Sequence, residues 1–173
     1  MYTVIQSLTH DGRDRSRDYV ISGFHVPPGS WDAQLIEPLS PGADEVVLPK
    51  TSSSVFNSTN LDYVLRCLGC KQLILAGCVT DQCVAHAVMD ACDLNYLVTL
   101  VPEATATYSD ARQAAALAAI GGYCRVRGVD QLAWELAAAK AAREAVASAA
   151  AKAAAAKAEE EGEEGEEVPR QLS

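Results

Sequence analysis

Residues 73–93, LILAGCVTDQCVAHAVMDACD, constrain the fold of this chain more than any other stretch. Leu73-Ile74-Leu75-Ala76 is a short, uncharged apolar run of the kind that forms a buried strand. Gly77 ends it. Thr80 and Asp81 are residue types that cap helices, and the next residues place Val84, Ala87, Val88 and Ala91 on one helical face, which predicts a helix over about Gln82 to Asp93. A strand that turns at once into an amphipathic helix is the unit of an α/β protein. The unit places Cys83 near the first helical turn, just beyond the C-terminal end of a strand.

The rest of the chain repeats the alternation. Strands are predicted over Tyr2–Leu8, Glu45–Pro49, residues 71–77, Tyr96–Val101 (ended by Pro102) and Tyr123–Val126. Helices are predicted from Ser30 through Leu35 and Ile36, over Asn60–Leu68 with Gly69 as its stop, and from a Ser109 cap to Ile120. Residues 10–19, HDGRDRSRDY, read as a charged loop, and Thr51–Ser58 as a loop of small hydroxyl residues around Val55 and Phe56. The alternation argues for a parallel sheet covered by helices on both faces. Right-handed crossovers then bring the strand C-termini, and with them Lys50 and Cys83, to one edge.

From about Asp130 the character changes. Residues 1–129 read as the folded domain, and 130–173 as an Ala-rich helix with an acidic, disordered tail. Leu132, Trp134 and Leu136 are expected to pack the first part of that helix. The net charge of −9 is concentrated in EEEGEEGEE at 159–167. An acidic chain is poorly suited to nonspecific nucleic-acid binding, and no apolar run is long enough to span a bilayer. Six cysteines with no visible secretory signal favour free thiols, and a cytoplasmic location by default. Cys67 and Cys70 form a C-x-x-C at the end of a helix, with no second ligand pair for zinc, and read as packing residues. His10 and His25, with Asp11, Asp14 and Asp18 nearby, do not form a recognisable ligand set. No metal and no cofactor are expected.

The chemistry concentrates on Cys83. The thiolate is the nucleophilic form, and a helix N-terminus or a neighbouring cation lowers the thiol pKa from about 8.5 by a unit or more. Lys50 can supply the cation, and the Gly77–Thr80 turn offers backbone N–H groups for an oxyanion. Nucleophile, cation and oxyanion donors together describe acyl transfer through a thioester. Position alone leaves other readings open: Cys83 as a packing thiol, Lys50 as a solvated charge, and His86, one turn after Cys83, as a surface or packing histidine. Asp81 reads as a cap.

With these residues in place, the chain resembles the isochorismatase-like cysteine hydrolases, a superfamily that includes nicotinamidases, carbamoylsarcosine-type amidohydrolases and ureidoacrylate amidohydrolases. The resemblance covers about residues 2–127. It is carried by VVLPKTSSSVFNSTNLDYVLR at 46–66, LILAGCVTDQCV at 73–84 and DACDLNYLVTLVPEATATYS at 90–109. It implies a three-layer α/β/α sandwich around a mainly parallel sheet, with Cys83 as nucleophile and Lys50 as catalytic lysine. It also implies a cis peptide between Cys78 and Val79 that aims the N–H groups of Val79 and Cys83 into an oxyanion hole. A cysteine at this position implies hydrolysis of a small-molecule amide or ureido C–N bond, and GFHVPPGSWDAQLIEPL at 23–39 looks most like the ureidoacrylate branch. Related enzymes commonly assemble, so a homo-oligomer is expected.

The family's third catalytic residue, an aspartate ending a first strand, would fall before Met1. The reading is therefore of a domain incomplete at its N-terminus, and organellar targeting is possible if a leading segment is missing. The alternative function is that of a catalytically impaired homologue acting as a binding or oligomer subunit. Loss of that strand would also expose the edges of its neighbours.

Overall fold

A computed structural model describes residues 1–164. The chain divides into a compact unit over Met1–Gly128 and a second unit beginning at Val129. The first unit contains β1 (Tyr2–Ile5), α1 (Arg17–Ser22), β2 (Val47–Lys50), α2 (Val55–Ser58), α3 (Leu61–Cys67) and β3 (Gln72–Cys78). After a π-helical turn over Thr80–Val84 come α4 (Ala85–Asp93), β4 (Leu97–Ala106), α5 (Asp110–Ile120) and β5 (Arg125–Val126). The second unit is α6, Val129–Glu164.

Every strand pairing is parallel, but the strands form two sheets rather than the one expected from sequence. One has the order β1-β2, with Ile5 opposite Lys50; the other has the order β3-β4-β5. Among the described residues β1 and β3 each pair on one side only. The central strand β4 buries Val98, Thr99, Leu100 and Val101 in succession, the run of two-faced burial typical of a parallel strand under helices. Leu100 and α4's Val88 and Ala91 are fully buried, and Ile120 of α5 nearly so. With Leu61 and Leu65 of α3 they form the core beneath the Lys50–Cys83 edge. Leu100→Ala is expected to cost about 2–5 kcal/mol of stability by removing packed methyl groups and leaving a cavity. Chemical denaturation checks this; a loss below about 1 kcal/mol would contradict the placement of Leu100.

Several boundaries differ from the sequence expectation, each for a local reason. β1 stops at Ile5 because the chain turns away: Asp14 accepts hydrogen bonds from Leu8 N (2.6 Å), Thr9 N (3.2 Å) and Thr9 Oγ1 (2.7 Å). Those bonds outweigh the effect of burial and hold the Asp14 carboxyl at about 2. The second half of the charged loop is helix α1. Ser16 Oγ accepts from Tyr19 N, and Gly23 closes the helix in the left-handed region at φ 73°. After Ser30 there is no continuous helix, only 3-10 turns at Trp31–Ala33 and Glu37–Leu39. Val55–Ser58, expected as loop, is the short helix α2. β4 runs past Pro102 to Ala106. Pairing jumps from Leu75–Leu100 to Gly77–Thr105, so Pro102 lies in the unpaired bulge where its missing N–H costs no ladder bond.

In the second unit, α6 continues through Glu159–Glu164, part of the stretch expected to be disordered; the remainder of that expectation, residues 165–173, lies outside the described residues. Trp134 and Leu136 are exposed and only Leu132 is half-buried. Spacing explains part of this, since residues two apart on a helix face opposite ways. No helix among the described residues is long and apolar enough to cross a membrane.

Candidate active site

Strand β2 ends at Lys50, which the sheet pairing and the following loop bury to 4% exposure. Its Nζ donates to the carbonyls of Ser52 and Ser53, each at 3.0 Å, and to Cys83 Sγ at 3.3 Å. The serine loop thus folds around its own lysine and leaves one donor for the thiol. Burial lowers the Lys50 pKa from its ordinary value, and the charge of Cys83 opposes that shift.

Cys83 comes to this place from β3. The strand ends at Cys78, and the Cys78–Val79 peptide is cis. The chain then closes a π turn in which Val84 N bonds Val79 O at 3.3 Å and Ala85 continues into α4. The expected helix from Gln82 is therefore a π turn followed by an α-helix, and Cys83 sits in the turn. Neither Thr80 nor Asp81 caps it. Thr80 is buried, and Asp81 accepts hydrogen bonds from the Thr107 hydroxyl, just beyond β4, and from Arg112 of α5 (Nε at 2.7 Å). The hydrogen bond from Thr107, then that from Arg112, holds the Asp81 carboxyl below its usual value. Asp81 ties the turn to α5.

The serine loop is fixed to α4 at two points one helical turn apart. His86 Nδ1 lies 2.7 Å from Ser53 Oγ, and Ser54 Oγ hydrogen-bonds Asp90. Ser53 Oγ is also 3.9 Å from Cys83 Sγ. A cavity of about 550 Å³ opens beside the thiol. It is lined by Ile5 of β1, Tyr19 of α1, Phe24, Cys78, Val79 and Cys83, with Tyr108 also on its wall. Burial, followed by the nearby charge of Cys83, raises the Tyr19 pKa. The size suits a small organic substrate, and the lining is largely apolar.

The structure brings together Lys50, Cys78, Val79 and Cys83. It adds Ser53, Tyr19 and Phe24, which the sequence reading left in loops. Ser16 and Gly23, a cap and a stop flanking six residues, were the available signal for α1. His86 faces the serine loop rather than only solvent. Cys67, read as a packing residue, is exposed, whereas Cys70 packs against the core. His10, His25 and the acidic residues around them do not converge: among the described residues no group of three or more His, Cys, Asp or Glu is placed to hold a metal ion.

Comparison with known proteins gives a consistent picture. Residues 4–131 match the isochorismatase domain family. Ureidoacrylate amidohydrolase RutB of Agrobacterium fabrum is 34% identical over 85 residues, which cover 49% of this chain and 37% of that protein. The match thus spans little more than a third of that relative's length. An isochorismatase-like hydrolase from Alkaliphilus metalliredigens superposes with a TM-score of 0.70 at 25% identity, covering 78% of this chain and 71% of the other. N-carbamoylsarcosine amidase from Thermoplasma acidophilum superposes at 0.62 with 29% identity, covering 73% and 70%.

Proposed function

The chain belongs to the isochorismatase domain family, and from that premise we propose that it is a cysteine-dependent hydrolase of a small-molecule amide or ureido C–N bond. The observation that carries the reading is the 3.3 Å contact of a buried lysine ammonium with Cys83 Sγ at the wall of an open cavity. A thiolate beside a fixed cation is an activated nucleophile. Attack of Cys83 Sγ on the substrate carbonyl forms the S–C bond and moves the carbonyl electron pair onto oxygen. The N–H groups of Val79 and Cys83 are the proposed donors to that oxyanion, fixed by the turn before the reaction begins. Collapse breaks the C–N bond, and the nitrogen takes a proton from water in the open cavity and leaves as ammonia or an amine, the hydroxide so formed being the species that next attacks the thioester. That attack cleaves the thioester and frees the thiolate. The named relatives favour substrates of the ureidoacrylate and N-carbamoyl amino acid type.

The test is incubation of the chain with ureidoacrylate-type acids, N-carbamoyl amino acids and nicotinamide, reading ammonium release and the intact mass of the protein. Turnover, with an acyl adduct on Cys83 in quenched samples, is the expected result. A second reading, a catalytically impaired homologue that binds without turning over, draws on one observation: the described residues that line the cavity include no Asp or Glu. Saturable binding with no ammonium from any substrate would favour it.

A further inference from the structure

Two thiols, Cys78 and Cys83, line the same cavity. Cys78 ends β3, and Cys83 lies in the π turn that follows it. Val79 O accepts hydrogen bonds from Gln82 N at 3.1 Å and from Val84 N at 3.3 Å, so the chain doubles back after the strand and returns Cys83 towards the strand end. The fully buried Thr80 and the Asp81–Arg112 pair anchor the turn in that closed form. A closed turn is what brings residues so near in sequence within the short reach of a disulfide, about 4.4–6.8 Å between Cα atoms. The two sulfurs are not equivalent. Lys50 Nζ donates to Cys83 Sγ at 3.3 Å and favours negative charge there, whereas Cys78 is the more exposed of the two. An electron-rich sulfur on an open cavity, with a second thiol on the same wall, is the arrangement of a redox-sensitive pair. At about 550 Å³ the cavity is far larger than a hydrogen peroxide molecule.

We propose that hydrogen peroxide joins Cys78 and Cys83 in a reversible disulfide, which switches the site off and protects Cys83 from irreversible oxidation. The inference rests on Cys83 being the activated thiol. The Cys83 thiolate attacks one oxygen of the peroxide. An S–O bond forms and the O–O bond breaks; the departing hydroxide takes up the proton the thiol gave and becomes water. The sulfur is oxidised by two electrons to a sulfenic acid, and the peroxide is reduced by the same two. Cys78 then gives up its proton, and its sulfur attacks Cys83 Sγ. The S–S bond forms, the S–O bond breaks, and the hydroxide leaves with that proton as a second water. Two thiols and one peroxide thus give one disulfide and two waters. A dithiol reductant reverses the bond by exchange. Without Cys78 the sulfenic acid stays in an open cavity and takes another oxygen from peroxide, giving a sulfinic acid that dithiols do not reduce.

In the experiment the full chain is treated with hydrogen peroxide. It is read by intact mass, by peptide mapping without reductant, and by iodoacetamide labelling of Cys83 before and after dithiothreitol. The parent is expected to lose two hydrogens, to carry a Cys78–Cys83 bond, to lose Cys83 labelling, and to regain that labelling with dithiothreitol. Cys78→Ala and Cys78→Ser should instead gain two oxygens on Cys83, and dithiothreitol should restore nothing. Two replacements of different polarity separate loss of the thiol from damage to the turn. A parent whose Cys83 gains oxygen without bonding Cys78, or whose disulfide joins other cysteines instead, overturns the pair while leaving Cys83 as the nucleophile. So does a Cys78→Ser chain that recovers with dithiothreitol as the parent does. If Cys83 in the Cys78→Ala chain oxidises no faster than the remaining four thiols, the activated thiol and the pair fall together.

Discussion

Cys83→Ala is expected to lower kcat/KM for the responsive amide by about 10⁴-fold or more, the scale seen when a covalent nucleophile is removed and only binding and oxyanion donors remain. The change removes one sulfur from a half-buried position whose neighbours are the Lys50 ammonium and the Ser53 hydroxyl, so the fold should persist. Substrate affinity should change little, since the cavity wall formed by Ile5, Tyr19 and Phe24 is untouched. The acyl adduct seen by intact mass should vanish with the activity. Turnover surviving in Cys83→Ala would move the chemistry elsewhere. Cys78, exposed on the same cavity wall, is the comparison thiol: Cys78→Ala is the control in which alkylation of Cys83 continues.

Lys50→Met is expected to reduce kcat by about 10²–10³-fold, comparable to the loss of one preorganised electrostatic partner in an active site. It removes the cation from Cys83 and the two bonds that fold the serine loop, so Cys83 should also alkylate more slowly. The pH dependence of stability supplies a separate signature. Burial lowers the Lys50 pKa in the folded chain below the ordinary 10.5. Between the lowered value and 10.5 the unfolded chain binds more protons, so stability rises with pH across that window and falls as pH drops back through the folded value. Lys50→Met removes the titrating group and should flatten that rise, measured as denaturation midpoints at a series of pH values. Equal slopes in parent and variant would mean that Lys50 is not held in a desolvating site.

The Lys50–Cys83 pairing was legible in the sequence because Lys50 ends one strand and Cys83 follows the end of another in a parallel α/β pattern, and such a pattern collects strand ends at one edge. The strand β3, the helices α3 and α5, and the Ser109 cap followed from apolar spacing and capping chemistry, although β3, expected to be buried, alternates between half-buried and exposed residues. Other elements were hidden by competing signals. The charge density of residues 10–19 masked the cap and stop that define α1. Pro102 reads as a strand end, whereas a bulge carries the strand past it. The π turn at Thr80–Val84 has no periodic signature, since its helical pattern is offset by one residue. Ser53 and His86 lie 33 residues apart, and only the tertiary crossing of the serine loop over α4 brings them together. Tyr19 and Phe24 enter the cavity for the same reason, through a helix that the sequence did not announce.

The division into two sheets bears on how firmly the site is held. A strand that pairs on one side aims alternate amides away from its neighbour, and β3 is such a strand. In hydrogen-exchange measurements β3 should therefore show a comb of slow and fast amides, whereas β4 should be slow at Thr99 and Leu100, where it is paired on both sides. Ile74 is 48% exposed on β3, and the strand's last residue, Cys78, begins the turn that positions Cys83. The reactive turn therefore hangs from the less protected of the two strands. Its local order, and with it the spacing between thiol, serine and lysine, is tied to the opening free energy of a single strand rather than to the stability of the whole unit.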